Sequence, residues 1–429
     1  MKFEPRILLS LICATACTTA SVMSSSQTDG SVTDTDGGAD DSGSITSDAT
    51  NAEDVGAVDA GECASGTFGA IDHSWSLSPS RGGIIENGAI VATPRGVAAA
   101  QLSQCPVIGY DLPDGFTEFT GDGDDRRVCG NTFVRRVTRA ISHFPASAGV
   151  GDVVLAMSSE GARSSFLYKL GADASTFSEN PIPLADGGTD YPYVNAMARD
   201  ATTLRIAAES SNIPSHAVAM SYATGSLVNI DYEDTALKSY SAVTVAPQGI
   251  YYVGETMNGN VGVRRLTAGG TVDTAFGQNG LTEVAHAGAA GGVAVDSLGR
   301  ILVASTTSTN QIFVVRLTAT GELDSTFNGG HVDLSLTTTF RERIGMVAEP
   351  NGNVVVAGLV PSDAGDLPAV WLTRVAPDAS VNSVSVEPPA PLSSVSSPPT
   401  RVALARDEKC GYLYGVALTG SSKLWRAHW

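Results

Sequence analysis

The stretch Arg265-Leu-Thr-Ala-Gly-Gly-Thr-Val-Asp-Thr-Ala-Phe-Gly-Gln-Asn-Gly280 decides the fold, because a closely matching stretch follows it. The second stretch is Arg316-Leu-Thr-Ala-Thr-Gly-Glu-Leu-Asp-Ser-Thr-Phe-Asn-Gly-Gly330, and its Phe327 lies 51 positions after Phe276. A match at a fixed offset predicts a repeat architecture, in which each copy is one supersecondary unit that buries its faces against its neighbours.

Two strand-like elements mark each copy of this repeat. The first is an apolar run after a glycine turn, as in Gly299-Arg-Ile-Leu-Val-Ala304. In the second, apolar and polar residues alternate up to a Gly/Asp turn, as in Val314-Val-Arg-Leu-Thr-Ala-Thr-Gly321. Both patterns predict β-strands. The first element occurs seven times, centred near Val91, Val154, Arg205, Tyr251, Leu302, Val355 and Leu413. The second follows each time, at Leu112, Leu170, Ser221, Leu266, Leu317, Val375 and Leu424.

The size of the repeat indicates an architecture. A unit of about 50 residues with several short strands and glycine-rich turns has the size of a four-stranded propeller blade. Seven blades in a ring would cover one another's faces and would account for the chain from Gly66 onward. The sequence therefore predicts an all-β, seven-bladed β-propeller over residues 63–429. An open β-solenoid is the alternative, but its coils are usually shorter and it needs caps at both ends.

The two ends of the repeat region suggest how the ring closes. Each complete copy continues into a Phe-Gly segment, which the last copy lacks because the sequence stops at Trp429. Thr67-Phe-Gly69, near the other end, looks like this missing segment without its preceding strand. We therefore expect an N-terminal strand to complete the last blade.

Four cysteines follow the N-terminal region: Cys63, Cys105, Cys129 and Cys410. An even number of cysteines in an exported chain predicts disulfides, and four cysteines allow three pairings. Cys63 precedes the proposed closing strand and Cys410 opens the last copy, while Cys105 and Cys129 flank the Leu112 element. These positions favour Cys63–Cys410 and Cys105–Cys129.

The N-terminus has the features of an export signal. Residues 1–16 combine Lys2 and Arg6 with a short apolar run, which suits a signal peptide. Ala14-Thr-Ala-Cys17 resembles a bacterial lipobox, so we expect Cys17 to be lipidated and to become the mature N-terminus. Ordinary signal-peptidase cleavage is the alternative. The expected location is the outer membrane or cell surface by lipid anchor, with the periplasm or the medium as alternatives.

Residues 17–62 form an acidic segment that precedes the repeats. After Cys17 it contains Ser, Thr, Gly, Ala and ten acidic residues but no aromatic residue, Lys or Arg. Such a composition cannot bury enough apolar surface to offset chain entropy, which predicts a disordered tether. The net charge of −19 disfavours nucleic acid or an anionic membrane as a partner, so membrane contact is expected only through the lipid.

The repeat is similar to a known family pattern. Leu266-Thr-Ala-Gly-Gly-Thr-Val-Asp-Thr-Ala-Phe-Gly277, followed by Ala294-Val-Asp-Ser-Leu-Gly-Arg-Ile-Leu-Val-Ala304, looks like the delta-60 repeat of bacterial secreted and surface proteins. The pattern returns at Leu317–Gly330 with Val347–Gly358. The resemblance implies a propeller-like β fold and no catalytic activity, because the family's signature residues are turn and core residues.

Few residues suggest a catalytic, metal-binding or cofactor-binding role. A repeated Asp lies within three positions of Gly, Pro or Ser, where it is typical of a turn that caps its own backbone, at Asp114, Asp173, Asp273, Asp324 and Asp378. The acidic loop with Asp122, Asp124 and Asp125 is a weak calcium candidate, and a plain solvated loop is the alternative. No Gly-x-Ser-x-Gly, Walker or His-x-x-x-His motif occurs, so no catalytic residue and no cofactor is predicted.

Two functional hypotheses follow. The first is a monomeric, non-enzymatic, lipid-anchored surface protein whose propeller binds a protein or a glycan. The second is a secreted propeller hydrolase or lactonase with a metal in its central channel. Only the expected fold supports the second hypothesis, and a fold does not define a function.

Overall fold

The computed structural model describes Phe68, a set of strands before residue 184 and after residue 400, and most of the chain between them. The central described ranges are 193–200, 202–210, 215–223, 228–337, 344–360 and 369–386. All of these residues belong to one compact unit, Asp59–Trp429. Within the described residues, no helix is long and apolar enough to cross a membrane.

Antiparallel strands that follow one another in sequence build every described sheet. The first sheet contains β1 (Ala89–Thr93), β2 (Gly96–Leu102), β3 (Pro106–Leu112) and β4 (Gly115–Phe119). The second contains β5 (Arg136–His143), β6 (Val153–Ser159), β7 (Ser165–Leu170) and β8 (Ile182–Pro183). The third contains β9 (Tyr193–Arg199), β10 (Thr203–Glu209), β11 (Ala217–Ala223) and β12 (Val228–Asp234).

The second half of the chain continues this pattern. A seven-stranded sheet contains β13 (Leu237–Ala246), β14 (Gly249–Thr256), β15 (Asn260–Leu266), β16 (Leu281–Val295), β17 (Ile301–Thr307), β18 (Gln311–Leu317) and β19 (His331–Thr337). A short 3-10 helix, Asn328–Gly330, precedes β19. The last two sheets contain β20 (Gly345–Ala348), β21 (Val354–Val360), β22 (Ala369–Val375) and β23 (Val381–Val386), then β24 (Arg401–Arg406), β25 (Leu413–Leu418) and β26 (Lys423–Ala427).

The long strand β16 serves two consecutive copies of the repeat. Its first part, from Leu281 to Ala287, pairs with β15, whereas Gly288 to Val295 pairs with β17. The seven-stranded sheet therefore consists of two four-stranded meanders that share one strand. We number the copies in chain order, so that these meanders are the fourth and the fifth.

The strand elements expected from the repeat are confirmed with one correction. Every second-element residue lies in the third strand of its copy, from Leu112 in β3 to Leu424 in β26. The first elements lie in second strands, except that Val91 lies in β1, the first strand of its sheet. The second strand there is β2, which contains three alanines in a row and thus lacks the apolar bulk used to recognise the others.

Glycine turns connect the first and second strands where the sequence predicted them. Gly299 has φ of 76° and Gly352 has φ of 87°, a left-handed conformation that favours glycine. The backbone amide of Asp296 donates to the carbonyl of Arg300, and Glu349 donates in the same way to Asn353. These closed turns set the register of the strands on either side.

The apolar core lies between consecutive copies as well as within them. Phe276 is fully buried among side chains of β14 and β15 on one side and β17 and β18 on the other. Phe327 lies in the same way between the fifth and the sixth copies. Phe276 and Phe327 thus each join their own copy to the next, which is how a unit with two open faces covers them.

The predicted N-terminal closing strand lies outside the described residues, apart from Phe68. Phe68 packs against a buried cluster that is formed by the sixth copy and the last one and contains Leu372, Val402 and Ala427. Its ring lies 3.9 Å from the guanidinium carbon of Arg374, which belongs to the sixth copy. The repeat pattern predicts that Thr67-Phe-Gly69 belongs to the last copy, so the contact between Phe68 and Arg374 lies one copy earlier than this pattern predicts.

Candidate functional site

A repeated arginine joins each of two copies to the next. Arg265 Nη1 donates to the carbonyl of Ala319 at 2.7 Å, and Arg316 Nη1 donates to the carbonyl of Pro377 at 2.6 Å. The two acceptors occupy equivalent turns, three residues after the arginine position of the following copy. Each guanidinium therefore connects a third strand to the turn of its neighbour.

The same arginines cover the buried phenylalanines. The guanidinium carbon of Arg265 lies 4.9 Å from the ring centre of Phe276, and that of Arg316 lies 4.3 Å from the ring centre of Phe327. A guanidinium over an aromatic face is attractive, and more so when water is excluded. The sixth copy has no phenylalanine at this position of its own sequence, and Phe68 supplies the ring for Arg374.

The third copy reaches the same arrangement with a residue from another strand. Its third strand carries Ser221 opposite Arg205, and Arg205 Nη2 donates to the carbonyl of Ala268 at 2.5 Å. Asp231 Oδ2 forms an ion pair with Arg205 Nη1 at 3.3 Å, and Asp231 Oδ1 accepts a hydrogen bond from the Ser221 hydroxyl at 2.7 Å. Burial raises the pKa of Asp231, and its contacts with Ser221 and Arg205 oppose that effect.

The repeated aspartates act in turns, as predicted for the described ones. Asp273 accepts a hydrogen bond from the amide of Ala275, and Asp378 accepts one from the amide of Ser380. Asp273 also forms an ion pair with Arg265 at 2.8 Å. Their oxygens are thus used by the backbone and by the interface arginine, which agrees with turn chemistry.

A buried ion pair links the third copy to the fourth. Asp234 accepts hydrogen bonds from Arg264 Nε at 2.7 Å, Arg264 Nη2 at 3.0 Å and the Tyr240 hydroxyl at 2.9 Å. Burial would lower the pKa of Arg264, but its hydrogen bonds to Asp234 raise it above its usual value. Burial and the Asp234 charge raise the pKa of Tyr240. These groups satisfy one another, so we assign them to stability rather than to chemistry.

A polar groove lies on the surface between the fourth and fifth copies. Its volume is about 790 Å³. The amide of Gly277 donates to the carbonyl of Thr320 at 2.8 Å, and Thr282 Oγ1 donates to the carbonyl of Gly321 at 2.7 Å, which fixes its two walls. Its polar side chains are Asn260, Gln278, Thr282, Glu283, Thr320 and Glu322. They offer carboxylate, amide and hydroxyl groups to a ligand, and this groove is the candidate site.

Most residues singled out in the sequence lie outside the described part of the chain. These are Cys17, Cys63, Cys105, Cys129, Cys410, Asp114, Asp122, Asp124, Asp125 and Asp173. Their expected roles in lipidation, disulfides, turns and calcium binding stay predictions. Among the residues that the structure does describe, no group of three His, Cys, Asp or Glu could hold a metal ion.

Sequence reasoning did not identify the interface arginines or the groove. One signal was available, because the repeat stretches begin with Arg265 and Arg316, and Arg374 precedes the matching Val375. The groove had no such signal. Its walls come from two copies, and its acidic residues Glu283 and Glu322 do not occupy equivalent positions of the repeat.

Comparison with known proteins supports the fold. Residues 299–327 match the model of a family described as a domain of unknown function (DUF5122) β-propeller. Comparison with curated proteins yields no match.

Among solved structures, the chain is similar to the BP39L lectin from Burkholderia pseudomallei, with 11% identity, a TM-score of 0.50 and coverage of 80% of this chain and 98% of the lectin. It is also similar to the WD40 β-propeller domain of Doa1, with 12% identity, a TM-score of 0.49 and coverage of 81% of this chain and 94% of the Doa1 chain. The match of the family model and the fold of the lectin agree with the antiparallel meanders: the chain has a β-propeller fold.

Proposed function

We propose that this protein is an exported, lipid-anchored binding protein whose propeller captures a glycan in a groove between consecutive copies. The observation that carries the proposal is the polar groove between the fourth and fifth copies, with its 790 Å³ of space. The groove is built on a rigid framework of inter-copy hydrogen bonds, which favours a preformed site.

The proposed scaffold is a closed ring of seven blades. Its inner strands are the first strands of the copies: β1, β5, β9, β13, β16 (from Gly288 onward), β20 and β24. Each inner strand contacts the next one in this order, and β24 contacts β1. This cyclic order of contacts supports closure, because an open solenoid would leave its first and last units apart.

The chemistry of the groove favours a neutral sugar. Carboxylates accept hydrogen bonds from vicinal hydroxyl groups, side-chain amides both accept and donate them, and threonine hydroxyls add to both. Glu283 is held by Asn260, whose Nδ2 donates to Glu283 Oε1 at 2.7 Å, so the two side chains present one hydrogen-bonding surface. Two carboxylates would repel an anionic sugar. The lectin among the structural neighbours shares the fold only, so the ligand class is argued from the groove.

The alternative hypothesis, a metal-dependent hydrolase or lactonase, has no such support. One cavity lies at the ends of four inner strands, those of β13, β16, β20 and β24. It is lined by Val, Ala and Met side chains with Thr244 and Arg406, and none of these described lining residues is a carboxylate or an imidazole.

A glycan array tests the proposed function. The mature chain, carrying Cys17→Ser so that it can be purified without lipid, is expected to bind neutral glycans. Glu283→Gln and Glu322→Gln should each weaken that binding by about tenfold, because each removes a charged hydrogen-bond acceptor. Asp333→Asn is the matched control, because Asp333 is exposed on β19 and does not line the groove. An array without any bound glycan, or binding that neither Glu variant changes, would contradict the proposal.

The lipid anchor has its own test. Globomycin should block processing of the precursor, and a Cys17→Ala form should no longer fractionate with membranes. Unchanged fractionation of the Cys17→Ala form would show that the chain is held at the membrane in another way.

A further inference from the structure

One wall of the groove between the fourth and fifth copies contains a tight turn. Gln278 and Leu281 form an antiparallel bridge, in which the amide of Gln278 donates to the carbonyl of Leu281 at 2.8 Å and the reverse bond measures 3.2 Å. Asn279 and Gly280 connect them with φ of 53° and 85°, a pattern that is typical of a two-residue hairpin turn. Directly opposed residues of an antiparallel pair project their side chains on the same side. The turn therefore places an amide next to an aliphatic side chain, and both residues line the groove.

The next copy of the repeat lacks this pair of side chains. The strand register makes Leu281 of the fourth copy equivalent to His331 of the fifth. Four residues separate Phe276 from Leu281, whereas three separate Phe327 from His331, and no glutamine occurs in the shorter segment. The fifth copy nevertheless completes its sheet. The repeat fold alone thus does not account for Gln278 and Leu281.

The groove has hydrogen-bonding groups on both walls that a ligand can reach. Gln278 and Glu322 line it from the fourth and the fifth copy respectively, and both residues are exposed. Neither side chain forms a hydrogen bond or an ion pair with the described part of the protein. The amide of Gln278 can donate and accept, whereas the carboxylate of Glu322 only accepts. A donor and an acceptor are therefore open to a ligand from opposite walls.

The apolar side chains of the groove are small and lie on one wall. They are Ala275 and Leu281, and none of the described lining residues is aromatic. The apolar face of a sugar ring therefore finds no aromatic side chain to stack on. Two aliphatic side chains suit a small apolar substituent such as a methyl group, whose burial against them is favourable. Both belong to the same wall as the open amide of Gln278.

We propose that the ligand, given that the groove binds a glycan as proposed above, is an N-acetylated amino sugar. An acetamido group combines a carbonyl acceptor, an N–H donor and a methyl group. Gln278 donates to the carbonyl, Glu322 accepts from the N–H, and the methyl group lies against Leu281 and Ala275. Glu283 then accepts hydrogen bonds from the hydroxyl groups of the sugar ring. The acetamido group is uncharged, which agrees with a groove that contains two carboxylates.

Saturation-transfer difference NMR on the mature chain carrying Cys17→Ser tests this inference with matched pairs of sugars. The methyl β-glycosides of N-acetylglucosamine and N-acetylgalactosamine are compared with those of glucose and galactose, which carry a hydroxyl group instead of the acetamido group. At least one N-acetylated sugar should bind about tenfold more tightly than its counterpart, and its acetyl methyl group should show the strongest saturation. Gln278→Glu keeps the size of the side chain but removes the donor, so it should abolish this preference and leave binding of the hydroxyl counterpart nearly unchanged.

Gln248→Glu is the matched control, because Gln248 is exposed and does not line the groove, so this variant should keep the preference. The melting temperature of each variant establishes that it is folded. The inference alone is overturned if the hydroxyl sugars bind as tightly as the N-acetylated ones, or if a folded Gln278→Glu variant keeps the preference. Bound glycans without an N-acetylated sugar on the glycan array would also overturn it alone, whereas an array without any bound glycan would contradict the proposed function as well.

Discussion

Asp324 illustrates how one residue of the repeat serves a turn and an interface at once. Its Oδ1 accepts hydrogen bonds from the amide and the hydroxyl of Thr326, at 3.0 Å and 2.6 Å. Its Oδ2 accepts one from Arg316 Nε at 2.8 Å. Burial raises the pKa of this carboxyl, but the hydrogen bonds from Thr326 and Arg316 outweigh burial and lower the pKa below its ordinary value.

This lowered pKa predicts a pH-dependent contribution of Asp324 to stability. The contribution is complete above the unfolded pKa, about 3.9, and is lost as the pH falls through the lower folded pKa. Asp324→Asn should therefore reduce the free energy of unfolding by about 1–3 kcal/mol at pH 7. The difference from the wild type should shrink below about pH 4.

Urea unfolding at a series of pH values measures this effect. Asp333→Asn serves as the control, because Asp333 is exposed and should contribute little at any pH. A difference between wild type and Asp324→Asn that stays constant down to about pH 3 would mean that the charge of Asp324 is not what stabilises the turn.

At the scale of one element, the turn containing Gly321 is part of an inter-copy contact. Gly321 has φ of 88°, and a Cβ built there would lie 2.8 Å from Phe276 Cε2 and 2.9 Å from the amide nitrogen of Gly277. Gly329 has a similar φ of 76°, but a Cβ added to it would have no neighbouring atom within 4 Å. Substitutions at the two glycines therefore distinguish the cost of backbone strain, which both positions share, from the cost of crowding between copies, which only Gly321 has.

We predict that the two alanine variants differ in stability. Gly329→Ala should reduce the free energy of unfolding by about 1 kcal/mol, the cost of a left-handed conformation for alanine. Gly321→Ala should cost about 2 kcal/mol more, because the fourth and fifth copies must move apart. Urea unfolding measures both, and equal losses would argue against a tight contact at this turn.

Phe68 is the other element-scale test, because it occupies the aromatic position that the sixth copy lacks. Phe68→Ala should reduce the free energy of unfolding by about 3 kcal/mol through the loss of burial and of the contact with Arg374. Leu298→Ala is the control and should change stability by less than about 0.5 kcal/mol, since Leu298 is 70% exposed. Similar small losses in both variants, measured by thermal and urea unfolding, would contradict this role of Phe68.

At the scale of the whole molecule, a closed ring should be held by a bond between the two ends of the repeat region. Non-reducing peptide mapping is expected to link Cys63 to Cys410 and Cys105 to Cys129. Reduction should lower the free energy of unfolding by about 2–5 kcal/mol, because the first bond closes a very long loop. A Cys63–Cys105 link would contradict this form of closure.

Local sequence was sufficient for the β fold and its repeat. Glycines at Gly299 and Gly352, aspartates at Asp273 and Asp378 and the apolar strands between them follow from turn geometry and from burial, which act over a few residues. For this reason the third strands were located in every copy. The sequence did not identify β2 as a second strand, because its alanines lack the apolar bulk that makes a strand recognisable.

Only the tertiary structure decided which residues meet between copies. Arg205 replaces a third-strand arginine from the neighbouring strand, Phe68 supplies the ring for Arg374, and Glu283 and Glu322 face one groove from separate copies. In each case the partners lie far apart in sequence and are brought together by the packing of one copy on the next. No periodic pattern records such a contact, because it depends on the distance between side chains and not on their order along the chain.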